Sequence, residues 1–384
     1  MLKTNPKIYD INLPMEQLSI YLHWPYCERK CPYCDFNSYK MDKIDHLRWQ
    51  NAYDKALDES LNHTGQRRIS SIYFGGGTPS LMAASTINGI LENIYKNHKV
   101  ESDAEITLEA NPTTFEASRF KAFKASGINR LSIGVQSLRA DALSFLGRWH
   151  TADDARKTLE FAAENFERYS FDLIYARPNQ TMAEWQVELA EAIPLAKGHM
   201  SLYQLTVEPA TPFGRDGIAE APEDLAAEMY LYTLNTMANA GMAAYEVSNF
   251  AAQGQESRHN LSYWRGHDWV GIGPGAHGRY TADNQRIATQ DSRYPDGWLK
   301  AVEKQNHGRQ ALTIIPQHEH ITEQIMTGLR MAEGIAPNLA KQLDDNRLKT
   351  LIEQGLMQQL PNGNMAATPQ GWLVLNAMLN WLIN

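Results

Sequence analysis

All three cysteines of this 384-residue chain lie in one short segment, Cys27-Glu-Arg-Lys-Cys31-Pro-Tyr-Cys34. Thiolates are the ligands that iron–sulfur clusters prefer, and a cluster usually takes four of them. Three thiolates hold three irons of a cubane and leave the fourth iron open to another molecule. An open coordination position distinguishes a reactive metal site from a closed structural one. The segment is therefore predicted to bind a [4Fe–4S] cluster through Cys27, Cys31 and Cys34.

Two other interpretations of the cysteine segment need weighing. A structural zinc ion would use the three thiolates together with His23 as the fourth ligand. Structural zinc sites normally pair two short ligand clusters across a longer gap, and this sequence has no second cysteine cluster. A disulfide is disfavoured because the number of cysteines is odd and the chain has the character of a cytoplasmic protein.

Composition and charge exclude several classes of function. The formal net charge of −8 argues against a nucleic-acid partner, which usually requires a basic surface. No stretch is long and apolar enough to span a membrane, and Lys3, Lys7, Asp10 and Glu16 interrupt the N-terminal segment where a signal peptide would be apolar. We therefore expect a cytoplasmic protein without a transmembrane segment, for which a peripheral contact with a membrane stays open.

Short apolar runs alternate with amphipathic stretches in the first 250 residues. The predicted strands are Leu18–Trp24, Ile69–Phe74, Glu105–Glu109, Arg130–Val135, Ser170–Tyr175, Ser201–Val207 and, more weakly, Ala244–Val247. The predicted helices are His46–Asn62, Ala84–Asn97, Phe115–Ser126, Ala152–Phe166, Met182–Ala196 and Pro222–Ala240. This alternation predicts an α/β fold with a parallel sheet, an incomplete (β/α)6 barrel.

The residues that could do chemistry follow these strands directly. The cysteine segment follows the first strand, Gly75-Gly76-Gly77-Thr78-Pro79 follows the second, and Glu109 ends the third. Gln136 ends the fourth strand, and Asp172 lies in the fifth. In barrels of this type the chemistry lies at the C-terminal ends of the strands. The sequence therefore predicts one site at the top of a barrel.

The strand–helix alternation stops near residue 250. Residues 251–310 are rich in glycine and aromatic residues and are predicted to form a loop-rich connector. Residues 311–384 contain three predicted helices, Gln317–Glu333, Pro337–Gln354 and Gln370–Ile383, with a turn at Pro361-Asn362-Gly363-Asn364 before the last one. This order predicts a small, mainly helical, winged-helix-like domain after a partial barrel formed by residues 1–250.

The residues around the cysteines carry a family resemblance. Tyr21-Leu-His-Trp-Pro-Tyr-Cys27, followed by Cys31-Pro-Tyr-Cys34-Asp-Phe-Asn, resembles the signature of radical S-adenosylmethionine (SAM) proteins. The closest likeness is to the branch that contains oxygen-independent coproporphyrinogen III oxidase and the HemW-type heme chaperones. In that superfamily the amino and carboxylate groups of SAM chelate the open iron, and reductive cleavage of SAM can release a 5′-deoxyadenosyl radical. The resemblance, and not the spacing, implies a SAM site beside the cluster.

The resemblance assigns nine residues to one or two molecules of SAM, namely Tyr21, Tyr33, Gly76, Gly77, Thr78, Glu109, Gln136, Arg148 and Asp172. Physically, the glycines allow close approach of the backbone to a ligand, and the Arg148 guanidinium suits a carboxylate. Without the family, the triglycine run fits a tight turn equally well, and Glu109 would be taken for an exposed carboxylate before a turn. Asp172 lies in an apolar strand and needs a partner or a ligand.

The segment His259-Asn260-Leu-Ser-Tyr263-Trp264 offers an imidazole ligand and flat aromatic walls for a macrocycle. A lone histidine is more often a packed or hydrogen-bonded side chain than a ligand. The segment matches the His-Asn-x-x-Tyr-Trp motif of HemW-type proteins, which is linked to heme binding. The resemblance therefore implies that His259 helps to hold heme.

Two functions compete within this branch. The oxidases decarboxylate the propionates of coproporphyrinogen III with a SAM-derived radical, whereas the chaperones bind heme and pass it to an acceptor protein. The oxidases typically carry a fourth cysteine where this chain has Phe36, and a longer extension than the 20 residues that precede Tyr21 here. We therefore expect a heme chaperone whose partners are heme and an unidentified heme-accepting protein, with the oxidase as the alternative. Arg177 stands in Ala-Arg-Pro where family members often have Gly-Leu-Pro, which leaves the substrate preference open.

Overall fold

A computed structural model describes residues 17–40, 43–65 and 67–383, without the side chains of residues 114–118. The expectation of no signal peptide concerns residues that lie almost wholly outside this part of the chain. The strands are β1 (Gln17–Trp24), β2 (Tyr26–Cys27), β3 (Tyr39–Lys40), β4 (Arg68–Gly76), β5 (Lys99–Ala110), β6 (Arg130–Gln136), β7 (Arg168–Tyr175), β8 (His199–Gln204), β9 (Ala243–Ala244), β10 (Asn249–Ala251), β11 (Trp269–Ile272), β12 (His277–Ala282), β13 (Gln285–Asp291), β14 (Arg309–Ile315), β15 (Met357–Gln359) and β16 (Met365–Ala367).

The helices alternate with the strands in the first part of the chain and dominate its end. They are α1 (His46–Thr64), α2 (Ala84–Asn97), α3 (Thr114–Ala125), α4 (Ala140–Phe145), α5 (Ala152–Asn165), α6 (Met182–Ala192), α7 (Pro212–Arg215), α8 (Glu223–Asn239), α9 (Arg258–Trp264), α10 (Pro295–Gln305), α11 (Gln317–Gly328), α12 (Pro337–Ala340), α13 (Asp345–Glu353), α14 (Pro369–Leu373) and α15 (Leu375–Ile383). Two short 3₁₀ segments, Pro79–Leu81 and Ile193–Leu195, complete the set.

Twelve strands form one sheet in the order β14-β13-β12-β11-β1-β4-β5-β6-β7-β8-β10-β9. Its central six strands, β1 and β4 to β8, are all parallel to one another. In the described part of the chain, β1 pairs with β4 and β11 while β8 pairs with β7 and β10, so β1 and β8 do not join. The expected α/β fold with an incomplete (β/α)6 barrel is confirmed.

The two faces of the parallel strands differ in chemistry because successive side chains point to opposite faces. One face is fully buried and apolar, as Ile20, Ile72, Leu108, Phe171 and Leu202 illustrate. It packs against the helices in one large hydrophobic core. The alternate positions on the same strands carry small polar residues, namely Ser19, Ser71, Thr107, Ser132, Ser170 and Ser201. This inner face is polar where a filled barrel would be packed with branched apolar side chains.

Local sequence signals explain where the helices begin. In α5 the Thr151 side chain accepts a hydrogen bond from the Asp154 amide, and the Asp154 carboxylate accepts one from the Thr151 amide. The same reciprocal arrangement joins Thr181 and Glu184 at the start of α6. Each pair satisfies two backbone amides that the first turn of a helix leaves without partners. Helices α5 and α6 are therefore fixed in position immediately before the strands β7 and β8.

The loop-rich description of the connector is wrong for residues 269–291. Strand β11 pairs in parallel with β1, and β12, β13 and β14 continue the sheet in antiparallel fashion. Strand β11 has only four residues, and β11 and β12 each contain a glycine, so this part of the sequence lacks a sustained alternation of apolar and polar residues. Gly271 shows why glycine is needed, since a Cβ there would lie 2.0 Å from the carbonyl oxygen of His277. The proposed domain boundaries themselves stay predictions.

The C-terminal part has the predicted order of helices and hairpin, with two of the predicted helices divided. Residues 337–354 form α12 and α13 because Asp344 caps a new helix, accepting hydrogen bonds from the Asn346 and Arg347 amides. The last predicted helix is divided at Val374, between α14 and α15. Strands β15 and β16 form the hairpin around the predicted turn. A separate apolar core holds these elements together.

None of the helices in the described ranges combines enough length with enough apolarity to cross a bilayer.

Candidate functional site

A cavity of about 500 Å³ opens at the C-terminal ends of the parallel strands. All three cysteines line it, together with eight of the nine residues expected to contact SAM. Those eight are Tyr33, Gly76, Gly77, Thr78, Glu109, Gln136, Arg148 and Asp172. The structure therefore brings the cysteine loop and the strand ends into one space, although the role of each residue as a ligand stays a prediction.

The three cysteines are free thiols, and each is partly exposed. Burial raises the pKa of the Cys34 thiol to about 11, and burial also raises the pKa of Cys27 against hydrogen bonds from Thr78 and Ser38. Metal ligands must be thiolates, so binding of a cluster would release these protons. Free, partly exposed thiols at the mouth of a cavity fit three ligands of a cubane that keeps one iron accessible.

Among the described residues, no group of three or more His, Cys, Asp or Glu side chains lies close enough to hold one metal ion. The ligands of a cubane bind different irons and need not converge on one point. His23, the fourth ligand of the zinc alternative, has Nδ1 at 3.0 Å from the Tyr21 hydroxyl and Nε2 at 2.9 Å from the Asn37 carbonyl oxygen. Both of its ring nitrogens are thus already engaged.

The glycine run after β4 packs directly against the strand that leads to the cysteines. Gly76 has φ +113°, and a Cβ there would lie 2.6 Å from the His23 ring. A Cβ on Gly77 would lie 2.6 Å from the carbonyl oxygen of Tyr26. The Gly77 amide donates to the Trp24 carbonyl oxygen at 2.7 Å, and the Thr78 amide donates to that of Tyr26 at 2.8 Å. Glycine is therefore needed at these two positions for close packing. This requirement agrees with the tight turn that the sequence alone suggested for the run.

Glu109 is held at the end of β5 by two donors. The Tyr73 hydroxyl donates to Oε1 at 2.9 Å, and the Gly76 amide donates to Oε2 at 3.0 Å. Burial raises the pKa of Glu109 to about 7, assisted by Asp172 and opposed by the two hydrogen bonds. Burial likewise raises the pKa of Asp172 to about 6, against a hydrogen bond from Ser201 and the charges of Arg130 and Arg148. Two carboxyl groups in the cavity therefore titrate near neutral pH.

Arg148 connects the cysteine loop to the strand ends. Its Nη1 lies 3.5 Å from the Cys31 Sγ, and its Nη2 donates to the Asn111 side-chain oxygen at 2.6 Å and to the Gly134 carbonyl oxygen at 2.7 Å. Gln136, at the end of β6, adopts φ +70°, a left-handed conformation that is uncommon for a residue with a side chain. Strain of this kind is concentrated at ligand sites and turns.

Two predicted ligands do not line the cavity. Tyr21 stacks on Tyr73 with 6.2 Å between ring centroids and lies behind it. His259 is 1 % exposed, with Nδ1 at 2.9 Å from the Ser71 Oγ and Nε2 at 2.7 Å from the Tyr263 hydroxyl. Burial lowers the pKa of His259 to about 3, assisted by the charge of Arg130, so the ring is neutral. Heme ligation by His259 stays a prediction that requires one of these hydrogen bonds to break.

The position of His259 links it to Glu109. Its ring stacks on Tyr73 at 4.9 Å with an interplanar angle of 23°, and Tyr73 is the donor to Glu109. The His259 amide donates to the Glu105 carboxylate at 3.2 Å, so α9 lies against the inner face of β4 and β5. Asn260, the next residue, lines the cavity.

The polar residues of the deep cavity wall were not predicted from the sequence. They are Arg130, Ser132, Ser170, His199 and Ser201. Arg130 donates to the Ser170 hydroxyl at 2.9 Å. His199 is buried, with Nε2 at 3.0 Å from the Tyr245 hydroxyl, and its Nδ1 has no hydrogen-bond partner among the described residues. The signal was the alternation of polar and apolar residues within β6, β7 and β8, which indicates a strand face that meets solvent or a ligand.

Comparison with known proteins agrees with this architecture. The profile of the radical SAM superfamily matches residues 21–191, which include the cysteine loop and the ends of β4 to β7. The mitochondrial radical S-adenosyl methionine domain-containing protein 1 of Danio rerio is 40% identical over 328 residues, 83% of this chain and 74% of that protein. The heme chaperone HemW of Haemophilus influenzae is 35% identical over 381 residues, 94% of this chain and 97% of that protein.

The chain therefore belongs to the radical SAM superfamily, in the family of the HemW proteins and their mitochondrial relatives. A solved structure, coproporphyrinogen III oxidase (HemN) of Escherichia coli, matches with a TM-score of 0.80 at 20% identity and covers 97% of this chain and 91% of that one. At this level of identity the likeness concerns the fold alone.

Proposed function

We propose that this protein is a heme chaperone, which binds heme in the cytoplasm and transfers it to an acceptor protein. The observation that carries the proposal is the match to the heme chaperone HemW of Haemophilus influenzae, which runs along nearly the whole length of that protein. Phe36 supports the same choice, because it occupies the position at which the oxidases of this branch typically carry a fourth cysteine.

In the proposed protein, Cys27, Cys31 and Cys34 hold a [4Fe–4S] cluster, and SAM occupies the cavity beside it. Together these groups would supply one-electron chemistry and, on reduction, a carbon-centred radical. The donor set fits, since three thiols border a cavity that also contains backbone amides, the carboxyl groups of Glu109 and Asp172 and the guanidinium of Arg148. Arg148 supplies a fixed positive charge beside Cys31, and Glu109 supplies acceptors whose orientation Tyr73 and Gly76 fix.

The oxidase is the alternative, and the fold that this chain shares with HemN is compatible with it. The deciding experiment gives the anaerobically reconstituted protein coproporphyrinogen III, SAM and a reductant. We expect no protoporphyrinogen and, in a parallel titration, saturable binding of heme that an apo-acceptor protein can remove. Formation of protoporphyrinogen would replace the chaperone by the oxidase, and failure to bind heme would remove the chaperone assignment altogether.

The cluster assignment has its own test. Replacing Cys27, Cys31 and Cys34 together by alanine should abolish the brown absorbance that reconstitution produces and reduce bound iron to background. The single variant Phe36→Ala, two residues beyond the last cysteine, should keep the absorbance. Zinc in place of iron in the unaltered protein would contradict the assignment.

A further inference from the structure

Two large aromatic side chains on the rim of the cavity are exposed to solvent. The exposed fraction is 56 % for Phe36, directly after the cysteine loop, and 64 % for Trp149, directly after Arg148. Both line the cavity that the cysteines border. We refer to Phe36 and Trp149 as the aromatic rim. Exposed apolar surface beside a concave site is typical of a surface that receives a ligand.

Each aromatic residue of the rim has a cation beside it. The guanidinium carbon of Arg29 lies 5.6 Å from the centroid of the Trp149 ring. The Lys30 ammonium donates to the backbone carbonyl oxygen of Phe36 at 2.9 Å. Both cations are exposed and belong to the cysteine loop. The rim thus combines flat apolar surface with positive charge at its edge.

The interior of the cavity has the opposite character. Its deep wall is polar, with Arg130, His199 and the serine hydroxyls, and the proposed SAM site lies inside the cavity. His259, behind this wall, is buried with both ring nitrogens engaged. A large, flat and mainly apolar macrocycle matches the aromatic rim better than it matches the polar interior.

We propose that heme docks on the aromatic rim, with its plane against Phe36 and Trp149 and its propionates at Arg29 and Lys30. This inference rests on the proposed heme-binding function and assigns the place where binding occurs. Aromatic rings stack in offset or edge-to-face arrangements, and a guanidinium pairs well with a carboxylate. The acidic residues Glu28, Asp35 and Glu208 also line the cavity. The propionates are therefore attracted locally by Arg29 and Lys30, and not by a net positive charge of the whole rim.

The test is a heme titration of the full-length, cluster-reconstituted protein, followed by absorbance. The double variant Phe36→Ala/Trp149→Ala should weaken heme binding about tenfold or more, because each lost ring contact is worth on the order of a few-fold in affinity. The double variant Arg29→Gln/Lys30→Gln should weaken binding of heme but not of heme dimethyl ester, which lacks the free propionates. Retained cluster absorbance and circular dichroism show that each variant is folded.

A matched control lies in the C-terminal part of the chain. Trp381 is 42 % exposed and has the guanidinium carbon of Arg347 at 5.8 Å from its ring centroid, so it repeats the chemistry of Arg29 and Trp149 away from the cavity. Trp381→Ala should leave heme affinity unchanged. If the unaltered protein shows no saturable heme binding, the proposed function fails. If it binds heme and the rim variants bind equally well, the rim is overturned, and a simultaneous loss in His259→Ala would place heme at His259 instead.

Discussion

At the scale of single residues, Glu109 is the group whose ionisation the fold controls most visibly. In the unfolded chain a glutamate ionises near pH 4.5, whereas in the fold the pKa of Glu109 is about 7 because the carboxyl is enclosed. The folded protein therefore holds a proton that the unfolded chain has lost between these two values. The contribution to stability is complete below about pH 4.5 and is lost as the pH rises to about 7.

Glu109→Gln should remove this dependence, since the amide stays neutral. We expect the apoprotein variant to melt at a higher temperature than the unaltered protein above pH 7, with a difference that shrinks toward pH 4.5. SAM binding should become weaker at the same time, because the proposed SAM site loses a carboxylate acceptor. Thermal denaturation across this pH range, with the exposed residue Glu164 changed to Gln as control, measures the effect. A melting difference that does not vary with pH would contradict the raised pKa.

His259 acts through its neighbours, whether or not it meets heme. His259→Ala removes the ring on which Tyr73 stacks and takes a partner from the Tyr263 hydroxyl, while the Ser71 hydroxyl keeps its hydrogen bond to Ser19. Unpaired buried polar groups cost about 1–3 kcal/mol each, so we expect a clear loss of unfolding free energy. SAM affinity should also fall, because Tyr73 orients Glu109. Urea unfolding and calorimetry of SAM binding check both effects, and unchanged SAM affinity would show that Tyr73 needs no support from His259.

At the scale of elements, the loop after β4 has no room for a side chain at Gly77. Gly77→Ala should push the loop away from Tyr26, where a Cβ would lie 2.6 Å from a backbone oxygen, and should lower both stability and SAM affinity. Gly297→Ala is the control, because its nearest contacts are at 3.6 Å and it lies inside α10, where alanine is preferred. We expect Gly297→Ala to be neutral or stabilising by about 0.5–1 kcal/mol. Equal melting temperatures for the two variants would contradict this view of the loop.

Elements also show how far the sequence could predict the site. Strands with sustained apolar alternation, such as β1, β4 and β6, were placed correctly, and the chemical residues were expected at their ends. The deep polar wall was missed, because Arg130 and His199 lie at strand beginnings, far from any recognisable motif. The position of His259 could not be predicted either. Its motif indicates a ligand, whereas the contacts that occupy its ring come from Ser71 and Tyr263, and only the folded chain brings Ser71 to it.

At the scale of the whole molecule, the antiparallel strands after residue 269 are fastened to the barrel by tryptophans. Trp298 in α10 is fully buried and stacks on Trp49 in α1 with 5.5 Å between centroids. Its indole donates to Asp291, at the end of β13, at 2.7 Å. The sequence did not predict this arrangement. The contact with Trp49 joins residues about 250 positions apart, and Asp291 ends β13, a strand that the sequence pattern does not indicate.

Trp298→Ala should therefore cost about 3–5 kcal/mol of unfolding free energy, the range for truncating a large buried aromatic side chain. Trp298→Phe should cost less, since it keeps the stacking on Trp49 and loses the hydrogen bond to Asp291. Urea unfolding measures both, and Trp381→Ala, a change at an exposed tryptophan, should cost far less. A cost below 1 kcal/mol for Trp298→Ala would mean that the two parts are not joined through this contact.

A closed barrel has a diameter that its number of strands determines. Here β1 and β8 do not meet within the described chain, so the number of strands does not determine the width of the cavity. Part of its lining comes from α9, a seven-residue helix that lies against the inner face of β4 and β5 and presents Asn260 to the cavity. Asn260→Ala would enlarge the cavity and Asn260→Gln would shrink it, so this one position offers a way to admit bulkier or smaller analogues of SAM while the sheet stays unchanged.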